Sequence, residues 1–520
     1  MWRMSRNQSS QTTVQTTNQT TKQASGQATG QAADQATGQA ATQAADQATS
    51  QAATQAADQA TKQPTSQTAD DKYRQMTEAP VERLVLTLAG PAILANLVTA
   101  IYNICDTYFV GQLGTSAEGA VGISFVAMTL IQSVGFGLGQ GTGNAISRAL
   151  GRQDRELACI YTNVGLASSL VAGILIAVLG NVFITPLCLL SGSTATILPY
   201  ARVFVGIILM GAPFMCSTLM LNFQLRMEGE AFYSMLAIMS GAVLNTLLTP
   251  FLIYVAGMGI AGSATSTVIC EGMSFFLLCY LMNRIGITPL SRAWLRRPDR
   301  AMVGEIFNGG FPSFIRQVML GMATTLLNMA ARPFGDAAIA AMAIVQRVSS
   351  LGNYMQIGIG QGFQPTIGYN YGAKKYDRIR TGYHFSKRTA FIVVAAIGVC
   401  TFALAEPIVR VFSNDPEVIP IAVLALRIES VTLPFTGSAM ITNFLLQTTG
   451  RMWRATILGA CRLGLVLGPV VVVLPPLLGL LGVQLAQPVT DLITFAISLP
   501  MEWAILRELG EEERAADSAR

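Results

Sequence analysis

The chain has 520 residues, 51% of them hydrophobic and only 12% charged, with a net charge of +5 and a mean hydropathy of +0.45. Soluble domains carry about 25% charged residues, so half that share over this length excludes an ordinary soluble protein and indicates a membrane one. The positive charges are spread over short loops with no polar domain around them, which excludes a nucleic-acid surface.

Residues 1–80 differ from everything that follows. Glutamine recurs at every fourth position from Gln11 to Gln67, within a repeated unit QAADQATGQAAT (31–42), QAADQATSQAAT (43–54). The tract contains one valine and no leucine, isoleucine or aromatic residue, too little apolar surface for a core. A period of four drifts against the 3.6 residues of a helical turn, so no apolar face persists, and a disordered tail is expected over 1–80. The opening MWRMSRNQSS has no apolar h-region and is not a signal peptide.

Apolar blocks then follow at 84–111, 118–147, 157–184, 197–225, 231–256, 259–283, 304–331, 336–371, 386–412, 417–449, 453–475 and 480–506. Most are long enough to cross about 30 Å of hydrocarbon as helices. Unbroken runs such as LASSLVAGILIAVLG (166–180) do not alternate as barrel strands do. The fold class expected is an all-α polytopic membrane protein of twelve transmembrane helices. Alternate loops are rich in Lys and Arg, among them Arg148, Arg152, Arg155, Arg284, Arg292, Lys374, Lys375, Arg378 and Arg451, whereas the opposite side has Arg332 and Arg410. The positive-inside rule places both termini in the cytoplasm.

A shift of 221 residues superimposes one half of the chain on the other. Pro91 meets Pro312, GLGQG (137–141) meets GIGQG (358–362), Gly151 meets Gly372, and Asn222-Phe223 meets Asn443-Phe444. A duplicated six-helix unit follows, with lobes at 81–284 and 304–508, a cytoplasmic linker at 285–303 and a charged tail at 509–520. An even number of helices makes the repeats parallel, related by an axis along the membrane normal. The string GFGLGQGTG (135–143) has no preceding strand and no following lysine, so it is not a phosphate loop; small residues in membrane helices allow close packing or bending.

Eight cysteines lie in or beside apolar blocks without a CxxC pair, which suits small buried side chains rather than a metal site, and the single histidine, His384, falls in a basic loop. No HExxH, paired histidines or nucleotide motif supports a membrane enzyme or sensor.

One charge stands out. Asp106, in IYNICDTYFVGQLG (101–114), is the sole formal charge between Arg83 and Glu118. A charge there costs about 2.5–3.5 kcal/mol on insertion scales. A carboxylate in a low-dielectric site can exchange a proton near neutral pH or bind Na⁺; the bland alternative is a structural aspartate paired with another helix. Tyr102 and Asn103 lie four and three residues earlier, on the same face. In the second half, Arg316, Arg347, Arg427, Glu429 and Asp491 lie in or beside apolar blocks, where charges usually face the bundle interior and pair.

The strings GPAILANLVTAIYNICDTYFVGQLG (90–114), GLGQGTGNAISRALGRQDRE (137–156) and GIGQGFQPTIGYNYGAKKYDRIR (358–380), with the duplication, resemble the multidrug and toxic compound extrusion (MATE) family, and within it the bacterial MepA-like branch. The resemblance spans about 84–506. It implies a V-shaped cavity between two lobes and export of small organic, often cationic compounds, driven by entry of H⁺ or Na⁺. It implies no cofactor, a monomer surrounded by lipid in the bacterial cytoplasmic (inner) membrane, and no nucleic-acid partner. Asp106 matches the family's first-helix carboxylate and Pro91 its bend-forming proline. Relatives with a cation site add an Asn and an Asp from helix 5 and a Thr from helix 6. Here Asn245 and Thr267 are kept, but Thr249 stands where the aspartate would be; Glu271, one turn beyond Thr267, either replaces the missing charge, in contact with Asp106 or through water, or faces the cytoplasmic end of the helix. Met210, Phe214, Met319, Met322 and Phe435, with Tyr102, Asn103, Arg316, Glu429 and Asp491, are the expected cavity residues. A lipid-linked sugar flippase of the same superfamily is the competing function; more cationic cavity residues and extra helices would be expected of it.

Overall fold

Every regular element among the described residues of the computed structural model is helical; these are residues 65–113, 115–291, 293 and 300–518, with the side chains of 65–68, 103, 104, 107, 108 and 115–118 left aside. Residues 1–64, which hold most of the glutamine repeat, linker residues 292 and 294–299 and the side chain of Asn103 lie outside them. The first half comprises α1 (Thr65–Glu78), α2 (Val81–Gly111), α3 (Thr115–Gly151), α4 (Arg155–Val182), α5 (Ile184–Leu190), α6 (Leu198–Met210), α7 (Ala212–Met227), α8 (Ala231–Pro250) and α9 (Ile260–Arg284). The second comprises α10 (Arg300–Ala331), α11 (Asp336–Gly372), α12 (Tyr376–Ala403), α13 (Ala405–Phe412), α14 (Val418–Thr448), α15 (Met452–Ala460), α16 (Leu467–Leu478) and α17 (Leu480–Ser518).

The duplication is visible in the boundaries. α11 begins and ends 221 residues after α3, and α12 does the same relative to α4. The intervening turns share a backbone conformation, with Gln153 at φ 61° and its counterpart Lys374 at φ 58°, a region that few non-glycine residues occupy. A single-turn π segment follows in each half, Phe251–Val255 after α8 and Cys461–Leu465 between α15 and α16.

Among the described residues, nine spans are long and apolar enough to cross a membrane, and α6 with α7, bent by 49°, makes a tenth. The two remaining long helices, α10 and α11, hold the places of α2 and α3 in the second half. They are less apolar because their polar residues, including Arg316, Gln317, Asn353 and Gln356, turn toward an internal cavity rather than lipid. The twelve-span layout in two bundles accommodates all of these elements. The halves differ where α14 runs unbroken through Pro434 while its counterpart breaks at Gly211.

Residues 69–520 form one compact unit, and glycines make its central seam. A Cβ on Gly310 would lie 1.9 Å from the Gly137 carbonyl, and one on Gly372 2.3 Å from the Arg148 carbonyl. Such backbone contacts substitute for side-chain packing where no hydrophobic force drives helices together. Polar pairs extend the seam: Gln364 donates to Gln140 at 2.9 Å, Arg148 pairs with Glu305 at 2.9 Å and donates to the Thr448 carbonyl at 3.0 Å. Tyr161 donates to the same Glu305.

Two segments assigned by sequence to tails are helical and docked. Residues 65–78, placed in the polar tail, form α1, whose Met76 is fully buried. Lys72 pairs with Glu230 at 2.8 Å, while Asn370 donates to the Met76 carbonyl at 3.0 Å and Lys375 to that of Thr77 at 3.1 Å, so α1 touches both halves. Residues 509–518 continue α17, held by Arg451 to Glu512 and Arg380 to Glu513, both at 2.5 Å. Acidic residues at this end answer the basic loops of the same side.

Candidate functional site

Both halves wall a cavity of about 630 Å³, in the range that takes drug-sized molecules. Asn96, Phe136, Asn245 and Glu271 face it from the first half, and Gln317, Asn353, Tyr354 and Glu429 from the second. Its charged lining comprises Arg226, Glu271, Arg316, Glu429 and Arg462.

Asp106 sits one layer behind this wall, where three helices converge. Ser263 Oγ from α9 donates to Asp106 Oδ1 at 3.0 Å, and Thr249 Oγ1 from α8 lies 3.5 Å from the same oxygen. Thr249 also reaches Ser266 Oγ at 3.1 Å and Asn245 Oδ1 at 3.3 Å, and Asn245 donates to Thr267 Oγ1 at 3.4 Å. One hydroxyl proton cannot serve three acceptors at once, so Thr249 can exchange partners without moving its backbone. Four residues singled out from sequence, Asp106, Asn245, Thr249 and Thr267, are thus joined in one network. Asn245 and Thr267 carry it to the cavity surface. Pro91 lies inside α2, which continues helically across it.

Glu271 is not part of that network. It lines the cavity one turn beyond Thr267, its backbone carbonyl accepting from Thr218 at 3.2 Å, and among the described residues no hydrogen bond joins it to Asp106. Direct replacement of the missing carboxylate is therefore absent from this arrangement. Tyr102 lines the cavity, in electrostatic reach of both Glu271 and Asp106.

In the second half, Asp491 is buried and accepts from Arg462 Nε at 2.9 Å and from Gln487 at 3.1 Å, and Arg462 also donates to Asn353 at 3.2 Å. The acid pairs with an arginine on the π segment, not with Arg316, whose guanidinium lies 5.7 Å over Phe444. Asp491 supports the cavity from behind, while Glu429 and Arg316 line it.

Several expected cavity residues are elsewhere. Met210 is 69% exposed at the α6–α7 break. Phe214 packs against Phe275 and Phe276, and Phe435 against Phe391 and Phe495. Met319 fills the space at Gly464, and Met322 is half exposed outside the lining. In helices apolar on every side, sequence offers no stripe to say which face meets the cavity. Cys400 is exposed, unlike the small buried cysteine expected there, and His384 lies on α12 rather than in a loop, its ring edge-on to Tyr383. Sequence reasoning missed Ser263 and Ser266, although their spacing with Thr267 and Glu271 marks one helical face. It also missed Arg462, whose direction depends on the π segment.

At the C-terminal end of α7, outside the span, Glu228 is fully buried. It accepts from Ile287 N at 2.6 Å, from Thr288 N at 3.3 Å and from the Thr288 hydroxyl. Burial pushes its carboxyl up to about 7, against the pull of these donors.

A family model described as MatE matches residues 91–251 and again residues 312–473. The multidrug export protein MepA of Staphylococcus saprophyticus is 27% identical over 396 residues, covering 76% of this chain and 87% of the relative. That of Staphylococcus haemolyticus is 26% identical, covering 78% and 90%. Two solved structures share the fold: a MATE transporter in the straight conformation (TM-score 0.80, 25% identity, 84% of this chain and 98% of the other), and a MOP superfamily transporter from Pyrococcus furiosus Vc1 (TM-score 0.80, 24% identity, 84% and 98%).

Proposed function

This chain belongs to the MatE family, and from that premise we propose that it is a multidrug exporter that moves small organic compounds outward by antiport across a bacterial cytoplasmic membrane. Its relatives named MepA are multidrug export proteins, and the cavity between its halves has the size and mixed lining for such ligands. The observation that carries the mechanism is the Asp106 network, which links a lone carboxylate to the cavity surface through Thr249, Asn245 and Thr267.

The coupling ion we assign is the proton. One lone pair of Asp106 suffices to accept it, whereas Na⁺ needs several oxygens turned toward it, and Ser263 already directs a donor at the carboxylate. The loops joined by the seam, around Gly151 and Gly372, are the basic ones, so both termini and the closed end face the cytoplasm. The chain then rests with its cavity shut off from the cytoplasm. Proton arrival at Asp106 releases Ser263 and Thr249, reshapes the wall at Asn245 and Thr267, and expels the ligand; proton loss toward the cytoplasm accompanies parting of the seam. A monomer suffices, because one chain supplies both walls, and lipid surrounds it.

Proteoliposomes with pH and Na⁺ gradients imposed separately test this reading. Accumulation driven by the pH gradient alone supports it; accumulation driven by Na⁺ alone overturns the proton assignment, and net accumulation against a substrate gradient with neither ion gradient imposed overturns antiport.

A further inference from the structure

α1 is anchored to the two halves in two different ways. Toward the first half it uses its own side chains. Lys72 Nζ lies 2.8 Å from Glu230 Oε1, both side chains being largely shielded from solvent, and Met76 is fully buried. Gly229, just before Glu230, has φ 92° and leaves the room: a Cβ there would fall 2.2 Å from Met76 Cε and 2.6 Å from Lys72 Cε. Its repeat counterpart Gly450 has φ 88°, but a Cβ on it would meet open space among the described residues. The same turn is covered by α1 in one half and left open in the other.

Toward the second half α1 offers its backbone. A helix ends in carbonyls without partners of their own and in the negative end of its dipole. α1 has no basic residue in its last turn, and the second half supplies the donors instead. Asn370 donates to the Met76 carbonyl at 3.0 Å and Lys375 to that of Thr77 at 3.1 Å. Arg378 donates to the carbonyls of Glu78 and Ala79, and its Nε donates to Asn370 Oδ1 at 3.0 Å, which holds the set together. Pro80 follows, and α2, the helix of Pro91 and Asp106, starts at Val81. The segment leading into the helix of Asp106 is therefore clamped to the opposite half.

These anchors lie beside the glycine seam, with Asn370 two residues before Gly372, whose Cβ would meet the Arg148 carbonyl of the first half. We propose that α1 is a strap across the closed end, so that the two halves part there only after α1 releases one of them, and that the strap sets how often the cavity opens on that side. The second half grips carbonyls, which any sequence presents, whereas the first half grips Lys72 and Met76. The sequence-dependent anchor is therefore the one on the first half. The inference rests on the alternating opening described above and adds a restraint to it.

The test uses the full chain in nanodiscs, with spin-labelled non-canonical residues at Arg284 and Thr381, exposed positions in opposite halves. It follows their distance distribution together with hydrogen exchange of the amides of residues 69–79. Loss of one contact to a charged group shifts such an equilibrium roughly tenfold. Lys72→Glu and Met76→Asp are each expected to speed exchange in α1 and to raise the population at the longer distance by about tenfold. Lys72→Glu combined with Glu230→Lys is expected to restore the parent's values. Gly310→Ala, whose methyl group the seam cannot hold, marks the parted distance. Faster exchange in α1 with the parent's distance would overturn the strap, as would an α1 that stays protected in both variants. A charge swap that restores nothing would show general destabilisation and overturn the anchor. If Gly310→Ala alone lengthens the distance, the strap falls and the export reading stands; if no variant does, parting at this end falls as well.

Discussion

Ser263 on α9 donates a 3.0 Å hydrogen bond to Asp106 on α2, and this bond ties the one formal charge between Arg83 and Glu118 to the helix that carries Thr267 and Glu271 to the cavity. A change of charge at Asp106 must therefore be felt on α9. Ser263→Ala removes the shorter of the two bonds to this carboxylate. Bonds to ionised acceptors contribute about 1.5–3 kcal/mol, so gradient-driven export should fall at least about tenfold, with the melting temperature in detergent nearly unchanged. An unaltered rate would show that the coupling path avoids α9.

Glu271 faces the cavity and, among the described residues, has no hydrogen bond to Asp106. Glu271→Gln should raise the apparent KM for a cationic probe about tenfold while the number of protons exchanged per substrate stays the same. A changed proton count, measured with a pH dye inside proteoliposomes, would place Glu271 in the coupling site after all.

The seam at Gly310 has no room for a methyl group, since its Cβ would fall 1.9 Å from a backbone oxygen. Gly310→Ala should hold the closed end apart and reduce export by about tenfold or more, in line with the cost of overpacking, while leaving expression intact. Asn144 and Thr448 are bonded across the seam at 3.2 Å, so cysteines placed there should cross-link efficiently in the parent and poorly in the alanine variant. Equal cross-linking would mean that the seam adapts.

Glu228, just beyond the end of α7, predicts a pH effect on stability. Its carboxyl ionises near 4.5 when solvated and at about 7 in the folded protein. The stability gained by keeping it protonated is complete below about pH 4.5 and is lost as pH rises through about 7, a span of up to about 3 kcal/mol. Glu228→Gln keeps one acceptor for Ile287 and Thr288 and should flatten the fall in melting temperature between about pH 4.5 and about pH 7. Parallel curves for parent and variant would show that Glu228 is ionised throughout.

Much of the architecture was legible because lipid imposes length and apolarity on each span, and because the 221-residue period survives in Pro91 with Pro312 and in Gly151 with Gly372. The Asp106 network was legible in part, since Asn245, Thr249 and Thr267 are polar residues in apolar helices. Ser263 was less conspicuous, because serines in membrane helices commonly bond their own backbone. The cavity lining was poorly legible. Phe214 and Met210 match a polyspecific pocket by residue type, but the 49° bend at Gly211 decides their direction. Arg462 sits where a positive-inside count reads only topology or helix ends; its role depends on the π segment at Cys461–Leu465.

The most direct test of the coupling assignment compares the parent with Asp106→Asn in proteoliposomes, measuring substrate accumulation under a pH gradient alongside exchange of labelled for unlabelled substrate with no gradient. Accumulation abolished and exchange retained is the expected result; accumulation at the parental rate would contradict the role of Asp106.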